Sequence, residues 1–91
     1  MTERLIKKIA DHYGKEHQLL KLAEESAELS AAAIRLASSN EESDKDEFES
    51  ELADVLIMIT QMIHLMDNEE RVGDKVDYKV ARQLERMEVE K

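Results

Sequence analysis

The sequence predicts an all-α fold, a bundle of about four helices completed by oligomerisation, and three observations lead to that prediction. Ala, Leu, Glu, Lys, Ile and Met dominate the composition, which is typical of helical proteins. The 91 residues include no proline and only two glycines, so few positions interrupt a helix. Apolar residues recur at steps of three and four along most of the chain, as on one face of a helix.

The chain is short enough to form one domain, residues 1–91, and its apolar pattern divides into four helical segments. Polar residues 38–43 predict the loop between the second and third segments, because such side chains bond their own backbone. The first predicted helix ends near Tyr13, and the second runs from about His17 to Ala37. The third runs from about Asp44 to Met66, and the fourth begins after a cap at Asp74.

The third segment is apolar on nearly every side. Its middle, residues 55–59, consists of apolar residues alone, and Met62, Ile63, Leu65 and Met66 follow within one or two turns. A helix that is hydrophobic all round is buried all round. Three short neighbours in one chain supply too little cover, so we predict a homo-oligomer, either a dimer or a tetramer.

The net charge of −9 argues against some partners and leaves others open. Such a chain repels nucleic acid polymers and anionic membranes, but it can bind a small phosphate compound through metal ions. No apolar run approaches the roughly 20 residues that span a bilayer, and the first residues lack the apolar core of a signal peptide. We therefore expect a cytoplasmic protein without a membrane partner. Cysteine is absent, which excludes thiolate chemistry.

Two acidic motifs fall in the middle of predicted helices. The first, Glu-Glu-Ser-Ala-Glu, contains Glu25 and Glu28, and the second, Glu-Leu-Ala-Asp, contains Glu51 and Asp54. Residues three apart share a helix face, with β-carbons about 5–6 Å apart, so each pair can hold one ion together. We expect an antiparallel hairpin, closed by the loop at 38–43, to bring the two pairs face to face. The alternative is that these carboxylates, and Glu24 by itself, are ordinary solvated side chains.

Oxygen ligands without neighbouring cysteine or histidine favour a hard ion, Mg²⁺ or Mn²⁺. A di-iron bundle would need Glu-x-x-His motifs, and the sequence has none. We interpret His12, His17 and His64 as surface or packing residues.

These motifs resemble the all-α nucleoside triphosphate pyrophosphohydrolases of the MazG type. The resemblance covers the stretches 21–29 and 51–57 and the two helices that carry them, about half of the chain. It implies Mg²⁺-dependent hydrolysis of a nucleoside triphosphate between the α and β phosphates, with a housecleaning role in the nucleotide pool. The family's metal ligands match Glu25, Glu28, Glu51 and Asp54. Glu24 matches a further acidic position, so Glu24 and Glu25 are the candidate catalytic residues.

Positive side chains are expected to hold the phosphates. Lys21 lies one turn before Glu25 and can pair with that carboxylate or reach a phosphate. The last segment carries a basic stripe with Lys79, Arg82 and Arg86, which could line the site across a subunit interface. Its alternative role is a solvated face that complements the C-terminal end of the helix.

Two other functions remain open from the sequence. Phosphoribosyl-ATP pyrophosphohydrolases belong to the same fold family and use similar acidic pairs on another substrate. A non-catalytic helical interaction protein would use the apolar third helix for assembly and leave the carboxylates solvated. The early aromatic residues that often cradle the base in the family are reduced to Tyr13, which leaves base specificity undetermined.

Overall fold

The computed structural model describes residues 1–90, and within them every regular element is an α-helix. The all-α prediction is confirmed, whereas oligomerisation stays a prediction. The four helices are α1 (Thr2–Tyr13), α2 (Lys15–Ser39), α3 (Glu42–Met66) and α4 (Glu69–Glu90).

Helices α2 and α3 form an antiparallel hairpin that holds most of the core. Gln18 bonds Gln61 near the open end of the hairpin, and Arg35 bonds Glu47 near the closed end. The side chains between the helices recur at alternating steps of three and four, as in a coiled coil. The buried core positions of the two helices are Gln18, Glu25, Ala32, Val55, Met58, Gln61 and Met62.

Helix α1 packs mainly against α3 and covers the open end of the hairpin. Ala10 is fully buried there, because a small side chain lets the helices approach closely. The Asp11 carboxylate and the His64 ring nitrogen, 2.8 Å apart, join α1 to α3. This arrangement leaves Tyr13 at the end of α1 beside the first turn of α2.

The loop between α2 and α3 is shorter than predicted. Ser38 and Ser39 belong to α2, where their hydroxyl groups donate to the carbonyl oxygens of Ile34 and Arg35 one turn earlier. Asn40 ends the helix because it adopts a left-handed conformation with φ of 57°. The prediction of a loop over 38–43 was therefore wrong at both ends, since serines can satisfy their hydroxyls inside a helix.

The start of α4 was also predicted wrongly. Asp67 is left-handed, with φ of 48°, and ends α3 at Met66 as expected. The backbone N–H of Val72 donates to the Asn68 carbonyl at 2.9 Å, so the new helix begins at Glu69. Gly73 and Asp74 consequently lie inside α4. A single glycine costs a helix only about 1 kcal/mol, which is too little to stop it here.

Helix α4 extends from the rest of the chain with almost no packing against it. None of its residues is buried, and only Val72 is even half-buried. Its apolar stripe beyond Val72 is more than half exposed at each of Val76, Val80, Leu84 and Met87. Among the residues that the structure describes, no helix is both long enough and apolar enough to cross a lipid bilayer.

Candidate metal centre

The register of the α2–α3 hairpin brings the two acidic motifs together. Starting from the pair Gln18 and Gln61, two turns forward along α2 and two turns back along α3 place Glu25 opposite Asp54. One more turn places Glu28 opposite Glu51. The pairs Glu25–Glu28 and Glu51–Asp54 thus lie on the facing sides of α2 and α3, because each pair keeps the three-four spacing of the core.

Three of the predicted ligands converge on one point. Glu25, Glu28 and Glu51 each offer a carboxylate oxygen, and these oxygens lie within 4.8 Å of one another. Asp54 is outside this group of three, although its negative charge acts on Glu25. We call Glu25, Glu28 and Glu51 the acidic cluster. Its members differ in burial: Glu25 is buried, Glu51 is half-buried and Glu28 is exposed.

Two oxygens of the acidic cluster are buried without a hydrogen-bond donor in the described part of the chain: Oε2 of Glu25 and Oε2 of Glu51. A buried carboxylate oxygen without a donor or cation is strongly unfavourable. Burial raises the pKa of the Glu25 carboxyl above its usual value of 4.5; Lys21 opposes this shift, and the charges of Glu28 and Asp54 add to it. A divalent cation between Glu25 and Glu51 would remove the penalty, so the donor set fits a metal ion.

Lys21 lies between the acidic cluster and the surface. Its ammonium nitrogen is 3.4 Å from a carboxylate oxygen of Glu25 and 3.4 Å from one of Glu24. These hydrogen bonds, to Glu25 first and then to Glu24, raise the pKa of Lys21. Lys21 is therefore positively charged, and it is accessible enough to contact an anion above the cluster.

Glu24 lies beside the acidic cluster rather than in it. Its side chain is more than half exposed and forms an ion pair with Lys21. Glu24 lines a groove between the helices. A water molecule or a substrate group could reach it there.

The structure does not bring the predicted cations of α4 to the cluster. Lys79, Arg82 and Arg86 are exposed on a helix that scarcely contacts α2 and α3. The Arg82 guanidinium lies 5.9 Å from the ring centroid of Tyr78 on the same helix. Within one chain, Lys21 is the predicted phosphate-binding residue that lies at the site.

A groove beside the acidic cluster contains residues that the sequence analysis did not select. Gln18 and Gln61 are only 3% and 2% exposed, and their amides are hydrogen-bonded to each other at 2.6 Å. His17 donates from a ring nitrogen to Gln18 and stacks on Tyr13, consistent with the predicted surface or packing role. The available sequence signal was a glutamine at an otherwise apolar core position on each of two neighbouring helices.

Searches of protein-family models, curated proteins and solved structures found no match to this chain.

Proposed function

We propose that this protein is a divalent-metal-dependent nucleoside triphosphate pyrophosphohydrolase. The reaction would cleave the bond between the α and β phosphates and give a nucleoside monophosphate and pyrophosphate. The convergence of the Glu25, Glu28 and Glu51 carboxylates, with two buried oxygens that lack a donor, is the observation that carries the proposal. The resemblance of the two acidic motifs to MazG-type enzymes supplies the reaction type.

The acidic cluster would hold Mg²⁺, or Mn²⁺ in its place, through oxygen ligands alone. Bound ions would neutralise the triphosphate and make an attacking water more acidic. Asp54 adds a fourth carboxylate opposite Glu25 when that side chain turns toward the cluster. We assign this ligand role to Asp54 from the resemblance and from its electrostatic effect on Glu25.

The remaining residues of the site act on the substrate directly. Lys21 is placed to contact a phosphate oxygen, and it keeps its positive charge because two carboxylates surround it. Glu24 is accessible and beside Lys21, so it can orient a water molecule and accept its proton. Glu25 is better suited to ion binding than to proton transfer, because its second oxygen faces the buried interior.

The same proposal includes a homo-oligomer, a dimer or a tetramer. The outer face of α3 exposes Leu56 and Ile59, and α4 exposes a complete apolar face. A second copy could bury both faces and at the same time bring Lys79, Arg82 and Arg86 toward the acidic cluster of its partner. These cations would then balance the negative charge of the triphosphate, which Lys21 alone balances only in part.

The test is pyrophosphate release from a panel of nucleoside triphosphates and phosphoribosyl-ATP, with Mg²⁺ and with a chelator. We expect Mg²⁺-dependent release by the wild type, lost on the order of a hundredfold or more in Glu51→Gln. Glu49→Gln is the matched control, because Glu49 is an exposed carboxylate on the same helix and outside the acidic cluster. Release from phosphoribosyl-ATP alone would identify the related histidine-pathway reaction type instead.

The exposed apolar faces also favour a second candidate, a non-catalytic helical interaction protein. Under that function, folded wild-type protein would release no pyrophosphate from any member of the panel. Polar substitutions at Leu56 and Ile59 would then abolish assembly, while Glu51→Gln would leave it unchanged. The opposite pattern supports the enzyme.

A further inference from the structure

The groove beside the acidic cluster combines apolar walls with deeply buried polar groups. It has a volume of about 620 Å³ and lies between α1, α2 and α3. Ile9, Leu20 and Ile57 line it with apolar surface, and Gln18 and Gln61 line it with amides. A cleft of roughly 300–1,000 Å³ that is mostly apolar with a few polar groups is typical of a small-molecule site.

The two amides and the His17 ring form one chain of hydrogen bonds. The His17 ring nitrogen Nδ1 lies 2.6 Å from Gln18 Oε1 and donates to it. The Nε2 group of Gln18 therefore points the other way and donates to Gln61 Oε1, also at 2.6 Å. This chain of hydrogen bonds leaves the Nε2 group of Gln61 as its free end.

That free end has no partner within residues 1–90, although Gln61 is only 2% exposed. Nε2 of Gln61 is nevertheless not completely buried, and Gln61 lines the groove. A nearly buried N–H donor that faces a cleft favours a ligand with a matching acceptor, since water alone solvates it poorly there.

Two stacked aromatic rings are among the groups that line the groove. The rings of Tyr13 and His17 are stacked, with centroids 4.8 Å apart and planes inclined by 19°. Both residues line the groove. Flat aromatic surfaces of this kind pack well against nucleobases, whichever base is present.

The groove leads to the acidic cluster. Lys21 and Glu24 line its edge, and Lys21 also contacts Glu25 within the cluster. A ligand that spans the two regions would place phosphates near Lys21 and a planar group near Gln61. The order of these groups matches the order of triphosphate, sugar and base in a nucleotide.

We propose that this groove binds the nucleobase of the substrate and that the Gln61 amide donates a hydrogen bond to a carbonyl oxygen of the base. The inference rests on the proposed function and names the recognition group within it. Because Gln18 already donates to the Gln61 oxygen, the Gln61 NH₂ group is the part of this amide that is left to bind a ligand. A carbonyl is therefore preferred to the amino group of adenine, which would place two donors face to face.

The first experiment compares deoxyinosine and deoxyadenosine triphosphates, whose purine bases have the same ring size and differ in the group at position 6 and in the proton that hypoxanthine carries on N1. The ratio of their kcat/KM values is measured with Mg²⁺ for the wild type, Gln61→Met and Gln83→Met. Methionine keeps the length of glutamine without its hydrogen bonds, and Gln83 is an exposed glutamine on α4. The ratio does not depend on the fraction of folded protein, so a loss of stability in Gln61→Met does not obscure it.

We expect the wild type to prefer deoxyinosine triphosphate. Gln61→Met should reduce the preference roughly tenfold, the effect of one neutral hydrogen bond, and Gln83→Met should retain it. Equal ratios in the wild type and Gln61→Met would overturn the proposal even if hydrolysis itself is robust.

A second experiment needs neither triphosphate nor metal. ¹⁵N-labelled protein is titrated with deoxyinosine and with deoxyadenosine, and the side-chain amide signals of Gln61 are assigned from their absence in Gln61→Met. We expect deoxyinosine to shift these signals more than deoxyadenosine does. A shift without hydrolysis would remove the proposed reaction and keep the base site, whereas hydrolysis with unmoved Gln61 signals would remove the base site alone.

Discussion

The α2–α3 hairpin and α4 differ in what they bury, although both are long amphipathic helices by sequence. The hairpin buries a carboxylate and two amides, namely those of Glu25, Gln18 and Gln61, in the core between its helices. Helix α4 buries nothing and exposes a continuous apolar face. Polar side chains thus occupy core positions in the hairpin, whereas apolar side chains of α4 are exposed to water.

The comparison separates two kinds of unfavourable feature. Buried polar groups without partners are costly for folding, so they are expected where a ligand satisfies them. Exposed apolar faces are costly for solubility, so they are expected where another protein surface covers them. The hairpin therefore indicates the ligand site of the molecule, and α4 indicates its assembly surface.

The largest expected difference between the two regions is in core truncation. Met58 is 5% exposed in the hairpin, and Met87 is 51% exposed on α4. Met58→Ala should lower the free energy of unfolding by about 2–5 kcal/mol, because it removes buried methylenes and leaves a cavity. Met87→Ala should cost less than about 1 kcal/mol in dilute protein. Urea denaturation checks both values.

Concentration dependence sharpens this first prediction. If α4 packs against a second copy, the cost of Met87→Ala will rise with protein concentration, whereas the cost of Met58→Ala will not. A large cost of Met87→Ala at the lowest concentration would show that α4 packs within its own chain, which would break the comparison.

The next largest effect is the response to Mg²⁺. Binding to the folded state alone stabilises a protein by about 2.7 kcal/mol when the ion is at 100 times its Kd. We expect Mg²⁺ to raise the melting temperature of the wild type and of Glu49→Gln, and to have little effect on Glu25→Gln. Thermal unfolding with and without the ion measures the shift. An identical shift in all three proteins would mean that the ion binds elsewhere.

A smaller effect follows from the raised pKa of Glu25 in the metal-free protein. A carboxyl whose pKa is higher in the folded state binds its proton more tightly there, so folding is favoured below pH 4.5 and this contribution is lost as the pH rises through the folded pKa. Melting temperatures of the wild type and Glu25→Gln are compared from pH 4 upward in chelator. The stability of Glu25→Gln relative to the wild type should increase with pH.

Other acidic groups also titrate in this range, so the difference between the two proteins is the informative quantity. Glu49→Gln is again the control, and its difference from the wild type should change little. A Glu25→Gln difference that is flat with pH would contradict the raised pKa.

The smallest expected effect concerns a surface ion pair of the hairpin. Arg35 on α2 and Glu47 on α3 form a salt bridge, and each side chain is about half exposed. Arg35→Ala should cost less than about 1 kcal/mol, and the cost should fall in high salt because exposed charges are screened. Chemical denaturation at low and high salt measures it. A salt-independent cost above about 2 kcal/mol would mean that Arg35 stabilises the fold through buried packing and not through an exposed ion pair.

Much of the architecture follows from local pattern. Four helices, the end of α1 at Tyr13 and the end of α3 at Met66 were predicted from apolar spacing and the absence of proline, and the structure confirms them. Two boundaries were wrong. The polar runs around Ser39 and Gly73 are compatible with a helix, and the actual breaks depend on left-handed backbone at Asn40 and Asp67.

The residues of the candidate site were also predicted only in part from the sequence. The sequence alone was enough to select Glu25, Glu28 and Glu51, because carboxylates spaced three apart must share a helix face. It could not show that Asp54 lies outside that group, or that Lys79 and its neighbours on α4 lie away from it. Those facts depend on side-chain direction and on which helices pack together.

The sequence by itself therefore determined the helices, their faces and the acidic pairs, since helix periodicity is a local property of the chain. Only the tertiary structure decided the register of the hairpin, and that register joins Gln18 to Gln61 and gives the acidic cluster its neighbouring groove. The physical reason is that a repeating three-four pattern permits several registers of nearly equal apolar burial. Hydrogen bonds and charges between residues distant in sequence select one of them.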